Sequence, residues 1–94
     1  MSIHVALKNP GEKLVHIDVD FEKNTISFIH ISGDFFIYPE EAIGDIEQAL
    51  VGLPVDPNII EQNLLTLIQK NTIEMVGISV STIVQGIQEA FAQS

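Results

Sequence analysis

The chain contains no cysteine and no arginine, and its four lysines face thirteen Asp and Glu residues, a formal net charge of -9 over 94 residues. Without cysteine there are no disulfides, no zinc–thiolate sites and no thiol chemistry. Without arginine there is no planar fork to clamp a phosphate or carboxylate bidentately. A self-sufficient nucleotide-binding enzyme is therefore a poor fit. So negative a surface repels nucleic acid and favours a partner with a basic face. No basic segment followed by an apolar one opens the chain, and no apolar run approaches membrane-spanning length. A cytoplasmic protein with no membrane partner is the expectation. Repeats and linkers are also lacking, so residues 1–94 read as a single domain.

What is present suffices for a core. The hydrophobic fraction is 46%, too high for a disordered chain. A domain of this size buries a little over ~60% of its unfolded surface. Ile3, Val5 and Leu7 alternate with His4, Ala6 and Lys8 as in a half-buried strand. Asn9-Pro10-Gly11-Glu12 has the chemistry of a type II turn. Val15, Ile17, Val19 and Phe21 then alternate with His16, Asp18, Asp20 and Glu22, the cleanest strand pattern in the sequence. Glu22-Lys23-Asn24 turns the chain, with Asn24 suited to a left-handed backbone. A third strand runs from Thr25 to about Ser32, but Ile26 and Phe28 share one phase, whereas Ile29 and Ile31 share the other. Either both faces are covered or a bulge near Ser27-Phe28 re-aims the strand, and the bulge is favoured.

Helical spacing takes over at Ala42, Ile43, Ile46, Ala49, Leu50 and Leu53, and Gly52 and Pro54 stop that helix. Asp56 and Pro57 have the chemistry of an N-cap and a first helical residue, leading a stripe of Ile60, Leu64, Leu67 and Ile68 that fades at Lys70-Asn71. Thr72 to Ile78 reads equally as a short strand or a buried connector. Ser79 caps a last helix with Val80, Ile83, Val84, Ile87, Ala90 and Phe91 on one face, and Gly86 inside it is tolerable where another backbone comes close. The fold class is α+β: a three-stranded antiparallel meander followed by three helices packed on one apolar face.

The two periodicities meet at Ser32-Gly33-Asp34-Phe35-Phe36-Ile37-Tyr38-Pro39-Glu40-Glu41. With Phe28, this junction holds four of the chain's six aromatics. Gly33 permits a backbone closed to other residues, Asp34 can bond nearby N–H groups, and Pro39 suits the first turn of a helix whose start favours Glu40 and Glu41. If extended, the segment exposes about half of Phe35, Phe36, Ile37 and Tyr38. Those rings are then either buried at a sheet-to-helix corner or displayed as an anchor for a partner. The three histidines offer a second constellation. Strand pairing that keeps the apolar residues together can set His4 opposite His16 and His16 opposite His30, near Asp18 and within reach of a metal ion. The plainer reading is that exposed strand positions tolerate histidine, and no zinc-type ligand spacing supports the metal. Glu40, Glu41, Asp45 and Glu47 read as a solvated helix face. No phosphate loop or nucleophile elbow is present, so the sequence holds no active site of its own.

Several stretches together resemble a known family: Lys13-Leu14-Val15-His16-Ile17-Asp18-Val19, the run from Ile29-His30-Ile31 through Gly33-Asp34-Phe35-Phe36 and Pro39-Glu40-Glu41-Ala42, Ala49 to Pro54, Val76-Gly77-Ile78-Ser79 and the helix ending Ala90-Phe91. They are similar to the accessory domain of lipoate–protein ligase, which is fused C-terminally in many bacterial ligases and is a separate small chain in some archaea. The Met1 start and the 94-residue length resemble the separate form. The resemblance implies an activity that needs two chains. The large one binds ATP, magnesium and lipoate, makes lipoyl-adenylate and transfers the lipoyl group to a lysine of an acceptor domain. The accessory domain carries no catalytic residue and binds no cofactor, yet is required for adenylation, and it packs beside the active site and changes position during the reaction. Gly33, Asp34, Phe35, Phe36, Tyr38 and Pro39 carry over as the signature loop, with a role at the interface. The rival readings are a free-standing α+β adaptor or dimerisation module and a small metalloprotein using His4, His16 and His30.

Overall fold

In the computed structural model, which describes residues 2–94, the alternating segments become β1 (Ile3–Leu7), β2 (Val15–Glu22) and β3 (Thr25–Gly33), an antiparallel meander in that order. Met1 lies outside the described residues. Val5, Leu7, Val15, Ile17, Val19, Ile29 and Ile31 are all buried on one sheet face, each contributing about 1.5–3 kcal/mol when fully removed from water. The expected bulge is there. Asp20 pairs with Phe28 but Phe21 pairs with Ile26, so Ser27 is the extra residue. The bulge returns Ile26 to the core at 1% exposure and leaves Phe28 outside at 46%.

Both hairpins differ from the expected histidine row. His4 faces Asp18, Ala6 faces His16, His16 faces Ser32 and Asp18 faces His30. Hydrophobic patterning selects which side chains point inward, and a slip of two residues preserves that choice, so patterning alone does not fix the register. Packing of the β1–β2 turn supplies what patterning leaves open. Glu12 N–H donates to Asn9 O at 3.0 Å, with Gly11 at φ +80° as a type II turn requires. Asn9 Nδ2 then donates to the Thr82 hydroxyl at 2.9 Å, and that buried hydroxyl donates to the Glu12 carboxylate. In the second hairpin it is Lys23, at φ 56°, that takes the left-handed conformation expected of Asn24.

Helices α1 (Ala42–Leu50), α2 (Pro57–Asn71) and α3 (Val80–Ala92) form a layer on the apolar side of the sheet, which α1 and α3 touch directly. α3 lies on β1 and β2, α1 lies along β3, and α2 packs on both other helices. Asp56 caps α2 by accepting from Asn58 N at 2.9 Å, and Ser79 caps α3 by accepting from Thr82 N at 3.3 Å. A Cβ at Gly86 would lie 2.4 Å from Ile17 Cδ1 and 2.9 Å from Leu7 Cδ1. Side chains of the sheet, not another backbone, explain that glycine. The outer edge of β3 is covered: Ile26 N–H donates to Leu53 O at 3.0 Å, Gly52 N–H to Ile26 O at 2.7 Å and Ile31 N–H to the Glu47 carboxylate at 2.7 Å. No helix among the described residues is long and apolar enough to cross a membrane.

Candidate functional site

The junction is not a loop. Beyond β3 the chain forms β4 (Phe36–Tyr38), which pairs antiparallel with β5 (Glu74–Val76) as a separate two-stranded ribbon. Thr72 to Ile78, ambiguous in sequence, thus supplies a strand. The ribbon is tied to the main sheet at one point. Gly33 adopts φ +150°, where a Cβ would fall 2.2 Å from the Leu14 carbonyl oxygen, and the Asp34 N–H donates to that same oxygen at 3.0 Å. On the other strand's side, the Lys13 N–H donates to Gly77 O at 2.9 Å, and Gly77 has φ +85°. The dipeptide Lys13-Leu14 holds both strands.

Period-two alternation then sorts the side chains. Ile37 and Met75 face each other inward, Ile37 being buried and Met75 packed against the core. Phe36 pairs with Val76, and Tyr38 with Glu74, on the outer face. Phe36 is 59%, Tyr38 49% and Val76 46% exposed. The Phe36 and Tyr38 rings stack with centroids 6.4 Å apart and planes 13° from parallel, a separation at which offset rings attract. Beside them runs an open groove of about 310 Å³ bounded by Ile31, Phe35, Phe36, Tyr38, Glu40 and Ile43. Exposed apolar side chains gathered in this way mark association surfaces.

The site residues expected from sequence divide accordingly. Gly33, Asp34, Phe36, Tyr38 and Pro39 are exposed, whereas Phe35 is half-buried against the core. At Asp34 it is the backbone N–H that makes the tie. Pro39 stands ahead of α1 rather than in its first turn: the Tyr38–Pro39 peptide is cis, Ala42 N–H donates to Pro39 O at 3.0 Å, and the helix begins only at Ala42. Glu74 and Val76 belong to the same face and are not among the site residues expected from sequence. Their membership depends on a pairing between distant segments that no local pattern carries.

The histidines are only partly brought together. His4 Nδ1 lies 2.8 Å from Asp18 Oδ1, and His4 Nε2 lies 3.2 Å from His16 Nδ1. His30 turns to Glu47 instead, at 3.2 Å. Among the described residues no group of three or more His, Asp or Glu is arranged to hold a metal ion.

Residues 14–87 match the family described as the bacterial lipoate protein ligase C-terminus. The chain belongs to that family. The match takes in β2, β3, α1, α2 and all of the ribbon, together with the Leu14 carbonyl that ties it to the sheet. A curated relative, "Lipoate-protein ligase A subunit 2" of Thermoplasma acidophilum, is 42% identical over 43 residues, a stretch that spans 46% of this chain and 46% of the relative. Among solved structures, a chain from the study of an archaeal bipartite lipoate protein ligase and its E2 lipoyl domain, also from Thermoplasma acidophilum, superimposes with a TM-score of 0.74 at 25% identity. That superposition covers 93% of this chain and 97% of that one. Within this member of the lipoate ligase C-terminus family, the ribbon gathers Phe36, Tyr38 and Val76, three of the exposed large hydrophobic side chains, on one face.

Proposed function

We propose that the chain is the non-catalytic accessory subunit of a two-chain lipoate–protein ligase and docks on the catalytic chain through the outer face of the β4–β5 ribbon. The observation that carries this reading is the exposed stack of Phe36 and Tyr38 within a family of ligase accessory domains. The relative's name and the two-part system of the matching structure support it. In this reading ATP, magnesium and lipoate bind the catalytic chain, and this chain meets the lipoyl-acceptor domain only within the assembled enzyme, in the cytoplasm. Docking contributes by ordering the catalytic chain's loops and excluding water, which strengthens the fixed dipoles acting on the reacting phosphate.

The test mixes purified chain with the neighbouring catalytic chain and follows co-elution and lipoyl-adenylate formation from ATP and lipoate. Adenylate should rise well above the level of the catalytic chain alone, and the accessory chain alone should form none. Equal adenylate with and without it would overturn the proposal. Self-association without heteromeric binding would instead favour the dimerisation module.

A further inference from the structure

Tyr38 and Glu74 stand directly opposite each other on the outer face of the ribbon, and both are exposed. A partner that covers Phe36 and Tyr38 must therefore cover Glu74 too. Taking a carboxylate out of water without a cation or strong donor beside it is costly. This chain does not provide one at that place. It has no arginine, and Lys13, at the foot of the ribbon, lies with its stem against Gly77. Asp34 and Glu40, both exposed, stand at the two ends of β4 and add negative charge around the same rings. Among the described residues the acid–base side-chain contacts within 4.0 Å are His4–Asp18 and His30–Glu47, so no lysine lies against any of these three carboxylates.

Building on the docking proposal above, we infer that the surface of the catalytic chain seated on the ribbon is cationic and sets an arginine guanidinium between the Phe36–Tyr38 stack and the Glu74 carboxylate. Only a planar, always-charged group meets both demands. It lies flat on an aromatic face, attracted by the ring quadrupole, and its edge donates to a carboxylate as a fork. A lysine ammonium would satisfy the charge but not the flat contact. A purely apolar partner would satisfy the rings and strand Glu74.

Binding between the full chain and the catalytic chain, measured by calorimetry across a salt series, tests this together with three variants whose folding is checked by circular dichroism. The wild-type dissociation constant should rise steeply with salt. Glu74→Gln should weaken binding about tenfold at low salt and flatten the salt dependence. Phe36→Leu, which keeps apolar area but removes the ring, should weaken it roughly 3- to 30-fold, the range of a cation–π contact. Phe36→Ala should bind more weakly still. If Glu74→Gln binds as well as wild type at every salt concentration while Phe36→Ala fails to bind, the cationic partner is wrong and docking through the ribbon stands. If all three variants fold and bind like wild type, the ribbon is not the docking surface and both proposals fall.

Discussion

Gly33 and Leu14 approach so closely that a Cβ on Gly33 would lie 2.2 Å from the Leu14 carbonyl oxygen, the same atom that accepts the Asp34 N–H at 3.0 Å. Gly33→Ala meets two penalties there: a side chain at φ +150° and a clash with backbone that has no flexible end to move aside. We expect a loss of ~3 kcal/mol or more. Gly11→Ala is the control, since Gly11 has φ +80° but nothing within 4 Å of its Cβ position. It should lose only ~1 kcal/mol. Urea unfolding of the two variants checks the difference, and similar losses would contradict the close approach.

Phe35 and Phe36 are neighbours in the chain, one half-buried and the other exposed. From sequence alone both rings were equally fit to be core or anchor. Phe35 is half-buried against the core, and Phe35→Ala should cost ~1–2 kcal/mol of stability. Phe36, at 59% exposure, should cost within about 0.5 kcal/mol when replaced by Ala, while association with the catalytic chain suffers. Thermal melts set beside binding curves separate the two, and a Phe36→Ala chain that melts as early as Phe35→Ala would place that ring in the core.

Thr82 ties the β1–β2 turn to α3. Its hydroxyl is buried, accepts from Asn9 Nδ2 at 2.9 Å and donates to Glu12. Thr82→Val keeps the shape but removes both bonds, leaving Asn9 Nδ2 only its bond to Gln85 Oε1 and Glu12 without this donor, which should cost ~1–2 kcal/mol. Thr82→Ser, which retains the hydroxyl, should recover most of that. Chemical denaturation of the pair measures it, and a Val variant as stable as wild type would show that the turn is held by other contacts.

The His4–His16 contact of 3.2 Å has no third protein ligand among the described residues. Chelator treatment of untagged protein should therefore leave its melting temperature unchanged, since a structural zinc site takes about four ligands and two imidazoles fall short of that. A fall on adding chelator, restored by zinc, would revive the metalloprotein reading.

The sequence makes most of the architecture legible because the relevant forces are local. Alternation at Val15, Ile17 and Val19 fixes a face, the misphasing of Ile26 against Ile29 betrays a bulge, and Asp56-Pro57 and Ser79 announce helix starts. Register is not local. Patterning is unchanged by a two-residue slip, so the place of His4 against β2 rests on contacts such as Asn9–Thr82 and Glu12–Thr82, made across seventy or more residues of chain. The ribbon escaped for the same reason. Phe36-Ile37-Tyr38 is too short to read as a strand without Glu74-Met75-Val76, and nothing in either segment names the other. Hence the rings of the site were visible in the sequence and the carboxylate beside them was not.

A final consequence comes from Glu47. By giving its carboxylate to the Ile31 N–H, it occupies main-chain hydrogen-bonding capacity on the free side of β3 that a foreign strand would otherwise use. Visitors cannot simply zip onto that rim by generic peptide pairing. Along that rim, recognition is thereby shifted toward side-chain chemistry, in which a companion is chosen for the shape and charge it carries.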